Sequence, residues 1–387
     1  MTNQVTLMPG DPAPWFHQRS YANARYAFDT AAGRYIVLCF FGSASDPHSA
    51  AAIAAVRARK EFFDDVRGSF FGVSNDPSDE TQKRVADSYP GYRYFWDFDG
   101  TIARAYGAVP RDHAATTVMR RMWVVLDPTL RVTHVIPFRP DRSDIEEVTA
   151  CLDALPPADR FAGFELQAPI LILPNVFEPA FCQRLIDLYE TDGGEESGFM
   201  REKDGKTVPV YDNSHKRRRD HVIKDDTVIR MAQARVSRRI VPEIRKIHQF
   251  NVTRMERYIV ACYSGEDGGH FRAHRDNTTS GTAHRRFAVS INLNADFDGG
   301  EVGFPEYGPR GFKPPPGGAL IFSCSLLHRV SPVTRGQRFA FLPFLYDDAA
   351  AQLREQNNRF LADPKSAYRA TVVDPAQPGR PNVAPVP

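Results

Sequence analysis

Hydrophobic patterning changes character once along this chain, and that change restricts the possible folds more than any other feature. In the first part, apolar runs at 35–41 (YIVLCFF), 69–74 (SFFGVS) and 122–127 (MWVVLD) are bounded by polar or turn residues, with helical stretches near 48–63 and 78–88 between them. Runs of this length read as buried strands, and their alternation with helices predicts an α/β layer with a largely parallel sheet. DFDG at 97–100 and DPTL at 127–130 fit connecting turns. After Asn251 the pattern becomes short β-rich runs, 257–263, 287–293, 319–323 and 338–346, separated by Gly, Pro, Asn and Asp. That spacing predicts an antiparallel sandwich or jelly roll.

Between the two patterns, residues 156–168 (PPADRFAGFELQA) have a Pro pair, a Gly and no periodicity, and read as a linker. The expected organisation is therefore an α/β domain over 1–155, a second domain over 169–348 opening on the strand 170–173, and a C-terminal helix and Pro-rich tail over 349–387. Helices are expected from Pro179 to Leu188 and from Thr227 to Ile247, the latter interrupted near Pro242. Five prolines in the last 13 residues predict a disordered or extended end.

Composition excludes several classes. Hydrophobic residues are 42% and charged residues 25%, a globular profile, and no stretch approaches the ~20 apolar residues of a spanning helix. The amino terminus lacks the pattern of a secretory signal, so a cytoplasmic location without membrane attachment is expected. A net charge of +2 gives no general attraction to nucleic acid. Five widely spaced cysteines, with no CxxC pair, argue against a closed disulfide framework. The local basic run His215 to Arg219 lies among Asp212, Asp220, Asp225 and Asp226; it reads either as a solvated, self-compensating cluster or as a substrate-facing lid favouring acidic groups.

The chemistry centres on His274-Arg275-Asp276. Iron(II) that must also bind a co-substrate and oxygen needs protein ligands on one face only, typically two His and one carboxylate. In an extended segment, residues i and i+2 point to the same side, so His274 and Asp276 can converge on one ion. With 11 histidines in the chain an isolated HxD carries little weight, but His328 follows 52 residues after Asp276 and Arg338 ten residues after that.

Together with Ala261-Cys262-Tyr263, HFRAHRDN (270–277), SINLN (290–294), DGGEVGFP (298–305), PGGALIFS (316–323) and the stretch 328–341, this set resembles the prolyl 4-hydroxylase type of iron(II)/2-oxoglutarate dioxygenases. The resemblance spans nearly all of the second domain and implies a double-stranded β-helix with flanking helices. It implies His274, Asp276 and His328 as iron ligands, and Arg338 as the clamp on the far carboxylate of 2-oxoglutarate. A guanidinium suits that task because it donates parallel hydrogen bonds and stays charged in a dry pocket; Arg335 is a lower-ranked competitor. Tyr263 and Asn292 are implied as co-substrate contacts, while His270 and His284 stay outside the metal set. The implied cofactors are Fe(II), 2-oxoglutarate and O2, with ascorbate as a further candidate. The implied reaction is hydroxylation with release of succinate and CO2, and Asp276, by occupying a coordination position, favours it over halogenation. An amino acid, a peptide or protein side chain, and a small molecule all remain open as substrate, as does the oligomeric state.

Gly10-Asp11-Pro12-Ala13-Pro14, the strand 35–41, WDFDG (96–100) and ARAYG (103–107) resemble a peroxiredoxin of the AhpC/TSA, thioredoxin-like type. A working peroxiredoxin needs a low-pKa cysteine at the helix start after the first core strand. Here that segment reads SASDPHS (43–49), and no cysteine lies between Cys39 and Cys151. The first domain is therefore expected to be a scaffold or recognition surface without thiol peroxidase activity, His48 being a polar helix-start residue. The competing reading for the whole chain is a non-catalytic binding or redox-sensing protein built on two degenerate folds.

Overall fold

The computed structural model describes residues 5–112 and 119–370. The chain divides into two compact units, residues 1–168 with 305–309, and residues 169–304 with 310–387. The segment 156–168 groups with the first unit and contains a 3-10 turn at Ala158–Arg160. The proline-rich end from Pro375 lies outside the described residues.

In the first unit, β1 (Tyr35–Gly42), α1 (Pro47–Arg57), β2 (Gly68–Ser74), β3 (Tyr92–Trp96), β4 (Met122–Leu126), β5 (Val132–Pro137) and α2 (Ser143–Ala154) carry the core. The sheet order is β3-β2-β1-β4-β5. β1 and β2 are buried almost throughout, which is why they read as continuous apolar runs. The β1–β2 and β2–β3 pairings are parallel, whereas β1–β4 and β4–β5 are antiparallel, so the sheet is mixed rather than largely parallel. The reason lies in the turn between β4 and β5: Asp127 accepts from the backbone N–H of Thr129 and Arg131 and folds the chain straight back, with no room for a crossover. This thioredoxin-like arrangement packs α1 and α2 through Ala52, Ile53, Val56, Val148 and Leu152.

Both sequence-predicted helices of this unit are shorter than expected. α1 ends at Arg57, and Phe62 and Phe63, which extend its apolar pattern, are buried in the turn that follows. The stretch 78–88 forms only the helix Pro77–Thr81, because Lys83 turns left-handed (φ 54°) and Arg84 folds back onto Asp76 and Asp79.

In the second unit, β6 (Leu171–Leu173) and α3 (Pro179–Asp192) precede β7 (Lys216–Arg217), β8 (Arg219–Val222), α4 (Asp226–Arg239) and α5 (Val241–His248). The α4–α5 break falls beside Pro242, which cannot donate to a continuous helix. There follow β9 (Arg254–Glu256), β10 (Ile259–Ser264), β11 (His270–His274), β12 (Phe287–Asn292), β13 (Val302–Gly303), β14 (Gly311–Phe312), β15 (Ala319–Ser323), β16 (His328–Val330), β17 (Val333–Phe341), β18 (Phe344–Tyr346) and α6 (Asp348–Gln356).

These strands form two antiparallel sheets, the smaller in the order β7-β11-β16-β13-β14 and the larger along β9-β18-β12-β17-β10-β8, with β15 pairing β12 and β6. This is the jelly-roll arrangement of a double-stranded β-helix. The larger sheet buries its outer face under α3, α4 and α5 through Phe181, Leu185, Val228, Val236 and Ile244, leaving its other face to the smaller sheet. Gly299 (φ 72°) and Gly317 (φ 74°) hold turns where a Cβ would come within 2.1 Å of a backbone carbonyl, so only glycine fits.

Candidate metal centre

The smaller sheet brings the three predicted ligands together. His274 ends β11 and His328 opens β16, and the two are direct antiparallel partners. Asp276 follows two residues on, its backbone N–H donating to the Cys324 carbonyl at 2.9 Å. One ligand atom from each of the three lies within 4.8 Å of the others. His274 Nε2 is 3.6 Å and His328 Nε2 is 3.4 Å from the Asp276 carboxylate.

Backbone carbonyls fix both rings. His274 Nδ1 lies 2.7 Å from the Arg272 carbonyl and His328 Nδ1 3.0 Å from that of Leu326, so each Nδ1 donates to a carbonyl and each Nε2 is the ring atom turned toward Asp276. Burial lowers the His328 imidazole to about 4, with His274 adding to the effect. Burial acts to raise the Asp276 carboxyl, but His328 and His274 outweigh it and hold the group far below the ordinary range. Two imidazoles with their Nδ1 atoms tied to backbone carbonyls and one carboxylate, on one side of a cavity, are the donor set of an iron(II) site with open positions.

The cavity has room for about 60 Å³ of water and runs between the two sheets, lined by the triad, by Phe271, Val302 and Phe322, and by Tyr263 and Arg338. Arg338 is 1% exposed. Its Nε donates to Asn292 Oδ1 at 3.1 Å and its Nη2 to Ser290 Oγ at 2.8 Å, while its Nη1 is buried with no partner. Burial pulls this guanidinium below its ordinary pKa. A buried cation whose fixed partners are neutral, with one donor nitrogen left over, fits an incoming carboxylate.

Tyr263 pairs directly with Arg338 across β10 and β17, and its ring lies 5.2 Å from the Arg338 guanidinium. Its hydroxyl accepts from Arg218 Nη1 at 3.2 Å, which leaves the phenolic proton free to be donated.

Asn292 stands one layer back from its expected position. Its Oδ1 accepts from Arg338 and its Nδ2 donates to the Pro314 carbonyl at 2.8 Å, so it aims the guanidinium instead of lining the cavity. Arg335 is 67% exposed and paired with Asp298, away from the cavity. His270 sits against the Gly268 carbonyl at 2.8 Å, and His284 is buried beside Glu256.

The basic run 215–219 is partly buried, compensated in part by Asp220, and places Arg218 in the cavity lining. Strand alternation turns Lys216 and Arg218 inward, 4% and 5% exposed, while Arg219 faces out. Arg218 makes a two-point ion pair with Asp220 at 2.7 Å, and Asp220 also receives Arg257 Nη2 at 3.1 Å. Sequence reasoning missed Ser290, Arg218 and Arg257 as parts of the site. Ser290 was recoverable, being two residues from Asn292 on one strand and so on the same face.

In the first unit, α1 is capped by Asp46, whose side chain accepts from the backbone N–H of His48 at 2.9 Å and of Ser49 at 3.1 Å; His48 lies one turn position inside the cap. Cys39 is fully buried in β1, and burial pushes its thiol well up.

Residues 258–346 match the family model of the 2OG-Fe(II) oxygenase superfamily, and residues 9–135 match that of the AhpC/TSA family. A PKHD-type hydroxylase from Synechococcus is 33% identical over 89 residues, 21% of this chain and 39% of that protein. The chain thus spans about two fifths of the length of that curated relative. Among solved structures, a prolyl hydroxylase from Trichoplax adhaerens aligns with 48% of this chain and 86% of its own (18% identity, TM-score 0.36). Peroxidoxin BcpB from Mycobacterium tuberculosis aligns with 39% of this chain and 99% of its own (22% identity, TM-score 0.34).

Proposed function

We propose that this chain, which joins an AhpC/TSA-type unit to a 2OG-Fe(II) oxygenase-type unit, is an iron(II)- and 2-oxoglutarate-dependent dioxygenase. It hydroxylates a C–H bond of an amino-acid, peptide or small-molecule substrate: one atom of O2 enters the hydroxyl group and the other the succinate formed as 2-oxoglutarate loses CO2. The observation that carries this reading is the sharing of one cavity by three convergent ligand atoms and a buried guanidinium with an unpartnered Nη1. A non-catalytic binding protein would have no need of a two-histidine, one-carboxylate donor set beside that cation.

His274, Asp276 and His328 would hold the iron, which when bound supplies the redox chemistry with O2. Arg338 receives the distal carboxylate of 2-oxoglutarate, Ser290 and Asn292 fix its angle, and the Tyr263 hydroxyl donates a second hydrogen bond. Phe271, Val302 and Phe322 exclude water from the reacting end. Ascorbate fits as an accessory reductant that keeps the metal reduced. The first unit serves as a scaffold or recognition surface, and a cytoplasmic location is consistent with a chain in which no helix among the described residues is long and apolar enough to cross a membrane.

The test is succinate formation from 2-oxoglutarate by the full chain with Fe(II), O2 and ascorbate, without added substrate. Slow turnover, lost in Asp276→Ala, is expected; equal succinate from both proteins would overturn the reading.

A further inference from the structure

We infer that the molecule oxidised in this cavity carries a carboxylate and that Arg257 receives it. The inference rests on the dioxygenase reading and deepens it. Three guanidinium groups line the cavity, those of Arg218, Arg257 and Arg338. The Arg218–Asp220 ion pair is internally neutral, with both carboxylate oxygens engaged at 2.7 Å. Asp276 belongs to the metal, and Arg338 is matched by the distal carboxylate of the co-substrate. Arg257 is left without a full counter-charge. Its hydrogen-bonded carboxylate is Asp220, already paired with Arg218, which it touches through Nη2 at 3.1 Å, and the other carboxylate acting on it, Asp276, is the one assigned to the metal. Lys216, also close by, adds no compensating negative charge; burial, with Arg218 and Arg257 adding to it, lowers its amine to about 5.

The backbone at Arg257 supports a functional role. Its φ is 68°, a left-handed conformation that a long L side chain adopts rarely and at a cost, and it sits in the two-residue step between β9 and β10. That turn directs the side chain over the Phe344 ring at 5.7 Å, and the side chain stays 27% exposed. An arginine that lines the cavity and is held by one carboxylate contact is placed to bind an anion rather than to stabilise the fold. One surplus positive charge matches one carboxylate better than a dianionic phosphate.

The probes are N-acetyl amino acids, each as the free acid and as the neutral methylamide. The full chain is loaded with Mn(II) and 2-oxoglutarate, and paramagnetic relaxation of probe protons reports which molecules enter the site. At least one acid is expected to show saturable relaxation, with its methylamide binding tenfold or more weakly, the usual weight of a charge-assisted hydrogen bond. Arg257→Gln abolishes the preference and Arg257→Lys retains part of it. Acid and amide behaving alike in the wild-type protein, including neither being relaxed, overturns the inference, as does a preference that survives in Arg257→Gln. The protons of 2-oxoglutarate serve as the separate reading: if they are not relaxed in the wild-type protein, the co-substrate assignment fails and this inference with it.

Discussion

Replacing Arg338 by methionine separates the stability of the site from its use. The methionine fills a similar volume without charge, so the apoprotein loses a buried cation that has no carboxylate partner but also leaves Ser290 and Asn292 without their donor. These effects oppose each other at about 1–3 kcal/mol each, and the apoprotein stays within roughly 2 kcal/mol of wild type. Binding has no such compensation. Truncating one side of a buried charged pair costs ~2–5 kcal/mol, and because only Nη1 of Arg338 is free, we place the loss near the low end, at ~2.8 kcal/mol or a hundredfold in Kd. The assay is urea unfolding of the full chain with the metal site filled by Mn(II), with and without 2-oxoglutarate at a hundred times the wild-type Kd. Bound co-substrate then stabilises wild type by about 2.7 kcal/mol and Arg338→Met by about 0.4 kcal/mol. Equal stabilisation of the two proteins would refute the assignment of Arg338 as the carboxylate clamp.

Other perturbations have equally definite outcomes. Asp276→Ala removes the sole carboxylate of the triad and is expected to weaken Fe(II) binding at least tenfold, read by metal content after dialysis; unchanged content would contradict the site. Burial, with Arg201 and His274 adding to it, lowers the folded-state pKa of His215 to about 4, below its unfolded value near 6.5. Its contribution to stability is therefore complete above about pH 6.5 and lost as pH falls through 4, so the urea midpoint should drop over that window and the drop should flatten in His215→Asn. In native protein treated with iodoacetamide, Cys39 should remain unmodified with or without hydrogen peroxide, mapped by mass spectrometry; peroxide-dependent loss of that thiol would revive a peroxidase role.

The convergence of His274, Asp276 and His328 was legible in the sequence because it depends on local rules: His274 and Asp276 sit two apart in an extended segment, and His328 opens the strand that pairs with it. Arg338 was legible through the family resemblance, since nothing local tells it from Arg335; the structure separates them by burial, 1% against a 67% exposed side chain. Asn292 was placed in the right strand but one layer too far forward, because strand parity gives the face of a residue and not which neighbour it touches. Arg218 was hidden inside a basic run whose composition suggests solvent, although an i, i+2 reading would have turned Lys216 and Arg218 the same way. The mixed sheet of the first unit was missed because apolar runs mark buried strands without giving their direction. The Asp127 turn, which sets that direction for β5, was recognised only as a turn.

The most direct measurement is the visible metal-to-ligand charge-transfer band under anaerobic conditions, recorded with Fe(II) alone, 2-oxoglutarate alone and both together, on wild type beside His274→Ala. A band that requires both components and disappears in the variant is the predicted result. No band in folded, iron-supplied wild type would contradict the assignment of this cavity as a 2-oxoglutarate–iron site.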